Sequence, residues 1–319
     1  MNEKNELHVV LGSGPLGQSV LRELARRGAC SRVVNRSGKA PADLPRGIEV
    51  LRADLYQPEE VRRAAQGAAV VYQCAQPAYT RWAEDFPRLQ SSILEGLVAC
   101  GASADERPKL VMGDNLYMYG PVEGKIHEGL PAAARTRKGA VRARMAEALL
   151  EAHRQGRLRV TLGRGSDFFG PGARSSMAGE PIFGALAKGK TANVLGNPDL
   201  PHTYTFIDDF GKALVILGER EAALGQAWHI PNAETVTTRQ FVGMAAEAFG
   251  VQPKMMAASG LLMRLVGLFM PEVREMIELE YEVVKPYVVD DSKFKQAFGD
   301  HSTPLREAIQ QTAEWYRKQ

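Results

Sequence analysis

The chain has 319 residues, enough to bury a large core and to form two lobes. Its net charge is only +3, and its basic residues are scattered along the sequence. Both features argue against a nucleic-acid groove. The N-terminal residues are polar, unlike a signal peptide. The three cysteines lack the spacing of a disulfide framework or a metal site. The apolar segment Leu261–Met270 is about half as long as a membrane span. We therefore expect a cytoplasmic protein that binds a small molecule, with no metal, no nucleic-acid partner and no membrane contact.

The first predicted strand, Leu7–Leu11, leads into a glycine-spaced turn that opens a helix. In a G-x-G-x-x-G turn, Gly12 permits the tight bend, Gly14 lets the backbone approach phosphates, and Gly17 lets helix and strand pack closely. The helix N-terminus adds free N–H groups and the positive end of the helix dipole. The turn therefore predicts a site for the pyrophosphate of a dinucleotide. Its residues are Gly12, Ser13, Gly14, Pro15, Leu16 and Gly17.

The second predicted strand, Arg32–Val34, ends in a basic turn without an acidic residue before Asp43. A carboxylate at this place would bond the free ribose hydroxyl of NAD and repel a 2′-phosphate. Arg36 can instead stack on adenine and meet that phosphate, while Asn35 and Ser37 flank it. The sequence therefore favours NADP(H), although a solvated basic turn is the alternative.

Two further strand ends point to the same cofactor. Asp54 and Leu55 follow the third predicted strand, where a carboxylate can reach the adenine amino group; Asp54 could equally cap the next helix. Ala75, Gln76 and Pro77 follow the fourth strand and would pass beneath the cofactor.

Strand and helix patterns alternate through the first half of the chain, which is typical of a parallel sheet covered on both faces. We predict an α/β fold, with a doubly wound parallel sheet over residues 1–170 that binds NADP(H). A smaller, mostly helical C-terminal substrate lobe covers 171–319, and segments near 203–230 return to the sheet domain. The predicted strands are Leu7–Leu11, Arg32–Val34, Ile48–Leu51, Ala69–Gln73, Leu110–Met112 and Arg159–Leu162. The predicted helices are Leu16–Arg27, Pro58–Ala65, Trp82–Cys100, Val141–His153, Thr238–Phe249, Pro271–Val283 and Thr303–Arg317.

Several landmarks in order resemble one known family. Besides the glycine turn they are Tyr119-Gly120-Pro121, the stretch 164–172, Thr205 to Asp209, and the tail from Phe298 to Tyr316. The chain resembles the extended and atypical short-chain dehydrogenases/reductases, which include NAD-dependent nucleotide-sugar epimerases and dehydratases. The resemblance implies a Rossmann fold, a C-terminal substrate lobe and hydride chemistry at a nicotinamide.

The resemblance also implies a serine or threonine, a tyrosine and a lysine at the active site, and this chain departs from all three. Lys138 stands where the family has tyrosine, Arg142 where it has lysine, and Asn115 where it has the hydroxyl residue. Lys138 could supply the proton, Arg142 could hold the nicotinamide ribose, and Asn115 could orient a carbonyl. Tyr117 or Tyr79 could instead provide a phenol from a nearby loop.

The substrate side departs as well. Asp167 replaces the family's asparagine, and His202 replaces the arginine that pairs with the diphosphate of sugar nucleotides. We expect Tyr79, Asp167 and His202 to contribute to the substrate site. The favoured hypothesis is an NADP(H)-dependent oxidoreductase acting on a small carbonyl or alcohol. The alternatives are a non-catalytic NADP(H) sensor or scaffold and, third, a nucleotide-sugar epimerase or dehydratase. A monomer or a homodimer is expected.

Overall fold

The computed structural model describes residues 6–41, 43–258 and 277–319. The apolar segment Leu261–Met270 and the first part of the predicted helix Pro271–Val283 lie outside these residues. The strands are β1 Leu7–Leu11, β2 Cys30–Asn35, β3 Glu49–Arg52, β4 Ala68–Gln73, β5 Lys109–Asp114, β6 Lys125–Ile126, β7 Val160–Arg164, β8 Asp167–Phe169, β9 Ala192–Leu195, β10 Pro201–His202, β11 Tyr204–Phe206, β12 Ala227–His229, β13 Val236–Thr237, β14 Met255–Ala258 and β15 Val288–Val289. The α-helices are α1 Pro15–Arg26, α2 Pro58–Ala65, α3 Trp82–Val98, α4 Arg137–Arg154, α5 Ala185–Ala187, α6 Ile207–Glu219, α7 Thr238–Phe249, α8 Tyr281–Val284, α9 Ser292–Phe298 and α10 Leu305–Arg317.

A seven-stranded sheet with strand order β12-β7-β5-β4-β1-β2-β3 forms the centre of the fold. Its strands are parallel and its order reverses between β1 and β4, as in a doubly wound sheet. Strands such as β1 are apolar along their whole length because helices cover both faces; Val9, Val10 and Leu11 are fully buried. The predicted fold class is therefore confirmed.

The described chain divides into two compact units that interleave along the sequence. The first contains residues 1–115, 141–164 and 210–228, which include most of the central sheet. The second contains 116–140, 165–209 and 229–319. The assignment of cofactor binding and substrate binding to separate lobes remains a prediction.

The second unit has its own core of aromatic and aliphatic side chains. Phe169, Phe183 and Phe241 pack ring against ring at its centre, and α7 and α10 cover them. The described residues outside the central sheet also form short strand pairs: β8 with β11, β9 with β14, β6 with β15, and β10 with β13. Sequence reasoning missed these pairs, because strands of two to four residues are too short to show a period.

The predicted strands of the central sheet agree with the observed ones to within about two residues, the usual uncertainty of element ends. The seventh strand, β12, was not predicted. Within the described part of the chain, every helix is too short or too polar to span a bilayer.

Candidate functional site

The glycine turn after β1 is tightly packed at Gly12 and Gly17 and open at Gly14. Gly12 has φ +101°, and a Cβ there would lie 2.7 Å from the Cα of Ala75. A Cβ on Gly17 would lie 2.0 Å from the carbonyl oxygen of Gly12. In contrast, a Cβ on Gly14 would meet nothing within 4 Å. The turn therefore leaves open space beside Gly14, where backbone can approach a ligand directly.

The N-terminus of α1 faces this opening without a side-chain cap. Gly14 is the N-cap, Pro15 occupies the first turn, and no acidic residue lies there. The first N–H groups of a helix lack intrahelical partners, and here no side chain of the N-cap satisfies them. Together with the helix dipole they form a site that favours an anion such as a phosphate.

The turn after β2 is held by its own side chains. Asn35 Oδ1 accepts hydrogen bonds from the Gly38 backbone N–H at 2.7 Å and from Ser37 Oγ at 3.0 Å. Asn35 Nδ2 donates to the carbonyl oxygen of Lys39 at 2.9 Å. Arg36 lies at the apex and is exposed. Asn35 and Ser37 thus build the turn, and Arg36 is one of the side chains that it exposes to solvent.

The other predicted cofactor residues follow the ends of β3 and β4. Ala75 touches the glycine turn through Gly12, so the structure brings these two segments together. Asp54 is half-buried, and its carboxylate accepts a hydrogen bond from the Tyr56 N–H at 3.1 Å, which shapes the turn before α2. The N-cap of α2 is Gln57 rather than Asp54.

Tyr79, which was predicted to contribute to the substrate site, is half-buried, with its ring 5.0 Å from that of Trp82.

Arg142 lies in a buried charge cluster at the end of β5. Its Nε donates to Asp114 Oδ1 at 2.9 Å, and its guanidinium packs on the ring of Phe86 at 4.7 Å. Arg164 Nε donates to the other Asp114 oxygen at 3.2 Å. Asp114 therefore bridges two buried arginines. This arrangement favours a positioning role for Arg142, because its guanidinium is already engaged.

Lys138 is also buried and ion-paired. Its side chain is 1% exposed, and its Nζ donates to Glu278 Oε1 at 3.0 Å. The other oxygen of Glu278 accepts from the Arg137 N–H at 2.7 Å, at the start of α4. The next residue, Gly139, packs against the loop that carries Tyr117, since a Cβ there would lie 2.6 Å from the Tyr117 carbonyl oxygen. The structure thus brings Lys138 and the Tyr117 loop to one place in the second unit.

Asp167 and His202, the predicted substrate residues, are hydrogen-bonded to each other. His202 Nε2 lies 2.8 Å from Asp167 Oδ2, and the His202 ring stacks on Tyr287 with centroids 5.2 Å apart. Tyr287 donates a hydrogen bond to Glu282 at 3.1 Å. Burial, and then the nearby Asp167 carboxylate, raise the pKa of the Glu282 carboxyl well above its usual range.

A pocket in the second unit borders this cluster. His202, Tyr204, Thr238 and Glu282 form its polar end, and Lys285 and Asn197 lie at its rim. Apolar side chains line the remainder, namely Met177, Ala178, Ile182, Val194, Leu195, Leu200 and Val283. All of these residues belong to the second unit. The pocket combines an apolar wall with a few polar groups, and its volume of about 30 Å³ has room for about one or two water molecules.

Comparison with known proteins places this fold and its landmarks in a family. The sequence model of the NAD dependent epimerase/dehydratase family matches residues 9–230, more than half of the chain. The chain belongs to the NAD dependent epimerase/dehydratase family. The resemblance of its sequence to the extended short-chain dehydrogenases/reductases is thereby confirmed.

The relatives of this family member are distant. A 3β-hydroxysteroid dehydrogenase/decarboxylase from Arabidopsis thaliana is 23% identical over 257 residues, which are 75% of this chain and 43% of the plant protein. The chain therefore spans less than half the length of that relative. UDP-glucose 4-epimerase from Thermotoga maritima, solved with UDP-glucose, has a TM-score of 0.78 and 17% identity, covering 98% of this chain and 99% of its own. UDP-glucuronic acid 4-epimerase from Bacillus cereus, solved with UDP-glucuronic acid and NAD, has a TM-score of 0.78, 16% identity and the same coverage. These structures share the fold.

Three acidic residues of the site were missed by sequence reasoning. Asp114, Glu278 and Glu282 each pair with a side chain that was predicted or lies near one. Asp114 follows the apolar residues Leu110 to Met112 of its strand and is itself buried, and a charged residue after such a run is the signal that could have singled it out. Glu278 and Glu282 have no such signal, because their partners depend on the tertiary fold.

Proposed function

We propose that this protein is an NADP(H)-dependent oxidoreductase that interconverts a small carbonyl compound and its alcohol. The opening beside Gly14 at the uncapped start of α1 is the observation that carries the proposal, because it fits a pyrophosphate. The plant relative supports the reaction class, since it is named as a hydroxysteroid dehydrogenase. The bound cofactor supplies the hydride that a carbonyl carbon accepts.

The preference for NADP(H) rests on the turn after β2. Arg36 is exposed there, and no acidic residue occupies the end of the strand. A guanidinium can bind a 2′-phosphate through two hydrogen bonds, whereas a carboxylate would repel it. Neighbours of the family were solved with NAD, so the additional phosphate is a feature that we propose for this chain.

Lys138 is the proposed proton donor. Its ammonium group can give one proton to the carbonyl oxygen while the carbon accepts the hydride, and Glu278 holds that ammonium in place at 3.0 Å. Arg142 would position Asp114 and the end of β5 rather than move a proton, because a guanidinium does not titrate near neutral pH. Tyr117 lies in the loop that packs against Gly139 and is the second candidate donor.

The test is turnover. Purified protein with NADPH and a panel of ketones and aldehydes should oxidise NADPH with at least one compound, and Lys138→Ala should lower kcat by about a hundredfold or more. Arg135→Ala is a matched control, because Arg135 is an exposed basic residue three positions away. NADPH oxidation that is unaffected by Lys138→Ala would contradict the role of this lysine.

The buried ion pairs favour a second candidate, a non-catalytic NADP(H) sensor or scaffold. Lys138 and Arg142 are both engaged with carboxylates, and the family's catalytic tyrosine is absent from their helix. A sensor would bind NADPH, oxidise none with any compound of the panel, and change its oligomeric state between NADPH and NADP⁺. Size-exclusion chromatography with each cofactor form distinguishes the two candidates.

A further inference from the structure

The end of β3 places a second arginine beside the turn that carries Arg36. Asn35 of β2 and Arg52 of β3 are paired in register, and paired neighbours project their side chains to the same face of a sheet. The turn packs against Arg52, because a Cβ on Gly38 would lie 2.9 Å from the Arg52 Cβ. Arg36 and Arg52 are both exposed. Two exposed arginines therefore lie at one compact turn.

Arg52 lies on the sheet face that α1 covers. Val10, Val33 and Val50 are register partners in β1, β2 and β3. A Cβ on Gly17 of α1 would lie 3.4 Å from Val10 Cγ1, so α1 packs on the face of these valines. Arg52 follows Val50 by two positions and shares its face. Because Arg52 also ends its strand, it lies at the edge of the sheet where the uncapped start of α1 offers an anion site.

The surrounding charges leave both arginines able to bind an anion. At the other end of the same strand pair, Arg32 Nε is already bonded to Glu49 at 2.8 Å. Among the residues that the structure describes, neither Arg36 nor Arg52 has an ion pair of this kind. Asp54, the nearest acid along the chain from Arg52, accepts a backbone N–H of its own turn at 3.1 Å instead.

The electrostatics of Tyr56 show where the Arg36 guanidinium lies. Burial, and then the nearby Asp85 carboxylate, raise the pKa of the Tyr56 hydroxyl, whereas Arg36 acts against this rise. A charge shifts a pKa in this way only from a short distance. Arg36 is therefore close to the segment that follows β3, the strand that Arg52 ends.

The 2′-phosphate of NADP(H) has the charge and the oxygen atoms for two guanidinium groups. A phosphate monoester carries about −1.5 to −2 charges at pH 7 and has three acceptor oxygens. One arginine neutralises only part of that charge. Two arginines from neighbouring strand ends would neutralise it, and each guanidinium can donate two N–H groups to the oxygens.

We propose that Arg52 is a second specificity-determining residue of the cofactor site, which binds the 2′-phosphate of NADP(H) together with Arg36. Gly38 belongs to this arrangement, because a side chain there would push the turn away from Arg52. The inference rests on the proposed NADP(H)-dependent function and assigns the phosphate to two strand ends instead of one.

Isothermal titration of NADPH and NADH tests the role of Arg52. Arg52→Glu should weaken NADPH binding by about tenfold or more, because a carboxylate repels the phosphate, and should not weaken NADH binding. NADH lacks the 2′-phosphate, so damage to the turn itself would weaken both cofactors. Arg46→Glu is the matched control, since Arg46 is an exposed arginine and the variant has the same net charge; it should change either Kd less than about twofold.

Two glycine variants test the geometry of the turn. Gly38→Ala places a methyl group 2.9 Å from the Arg52 Cβ, whereas a methyl group in Gly47→Ala meets nothing within 4 Å, although both glycines have a positive φ. Gly38→Ala should lower the preference for NADPH over NADH by about threefold or more, and Gly47→Ala should leave it unchanged.

The outcomes separate this inference from the proposed function. A preference for NADPH that Arg36→Ala abolishes and Arg52→Glu leaves intact would overturn the role of Arg52 and leave the proposed function standing. Equal weakening of NADPH and NADH in Arg52→Glu would also overturn that role, because Arg52 would then support the turn rather than bind the phosphate. Equal affinity of the wild-type protein for both cofactors would overturn both proposals.

Discussion

Gly14→Ala adds one methyl group at the place where the glycine turn is open. A Cβ there meets no protein atom within 4 Å, and the φ of −69° is ordinary for alanine. Glycine is somewhat better than alanine at an N-cap, so the free energy of unfolding should fall by no more than about 1 kcal/mol. The methyl group would, however, occupy the space through which a pyrophosphate approaches the backbone. We expect the Kd for NADPH to rise by at least about tenfold, which is about 1.4 kcal/mol.

Gly17→Ala is the matched comparison, because it tests packing instead of ligand access. Its Cβ would lie 2.0 Å from the Gly12 carbonyl oxygen, a backbone atom that cannot move without shifting the turn. Overpacking of this kind costs about 1–3 kcal/mol of stability. Gly17→Ala should therefore lower the Tm clearly, whereas Gly14→Ala should lower NADPH affinity with little change in Tm.

Tryptophan fluorescence titration with NADPH and thermal denaturation of the free proteins measure both effects. A Gly14→Ala protein with the wild-type Kd for NADPH would contradict a pyrophosphate site at this turn. The pyrophosphate would then not approach the backbone at this turn. Loss of stability as large in Gly14→Ala as in Gly17→Ala would contradict the open space that the structure places beside Gly14.

Two further predictions concern buried acids. Asp114→Asn leaves Arg142 and Arg164 buried without their carboxylate and should lower the free energy of unfolding by about 3–5 kcal/mol, measured by urea denaturation. Asp85→Asn, which breaks an ion pair with exposed Arg81, should cost much less; equal losses would contradict the burial of the charges around Asp114. Burial and Asp167 raise the pKa of Glu282, so the folded state holds a proton that the unfolded state releases above about pH 4.5. The free energy of unfolding should therefore fall as pH rises above about 4.5, by up to about 1.4 kcal/mol per pH unit. Glu282→Gln should reduce that slope, and identical slopes of the wild-type and variant proteins would contradict the raised pKa of Glu282.

The sheet could be predicted because its strands carry their own pattern. β1 and α1 follow one another with an apolar run, a glycine turn and a helical period, all within 20 residues. β12 gives no comparable signal, since it has three residues and is recognised by its pairing with β7. Local patterning thus accounts for the predicted part of the fold.

The charge pairs of the site could not be predicted, because they join residues far apart in sequence. Asp114 meets Arg142 at a separation of 28 residues, and Lys138 meets Glu278 at 140. The sequence indicated Lys138 and Arg142 as replacements for catalytic residues, but not that each would be buried against a carboxylate. Such pairing depends on the tertiary fold, which a single sequence does not specify at this level.

The cofactor preference tests the proposed function most directly, and isothermal titration of NADPH and NADH measures it. Wild-type protein should bind NADPH at least about tenfold more tightly than NADH. Arg36→Ala should bring that ratio close to one by weakening NADPH alone, whereas Arg46→Ala, an exposed arginine ten positions further on, should leave it unchanged. Equal affinity of the wild-type protein for NADPH and NADH would contradict the proposal.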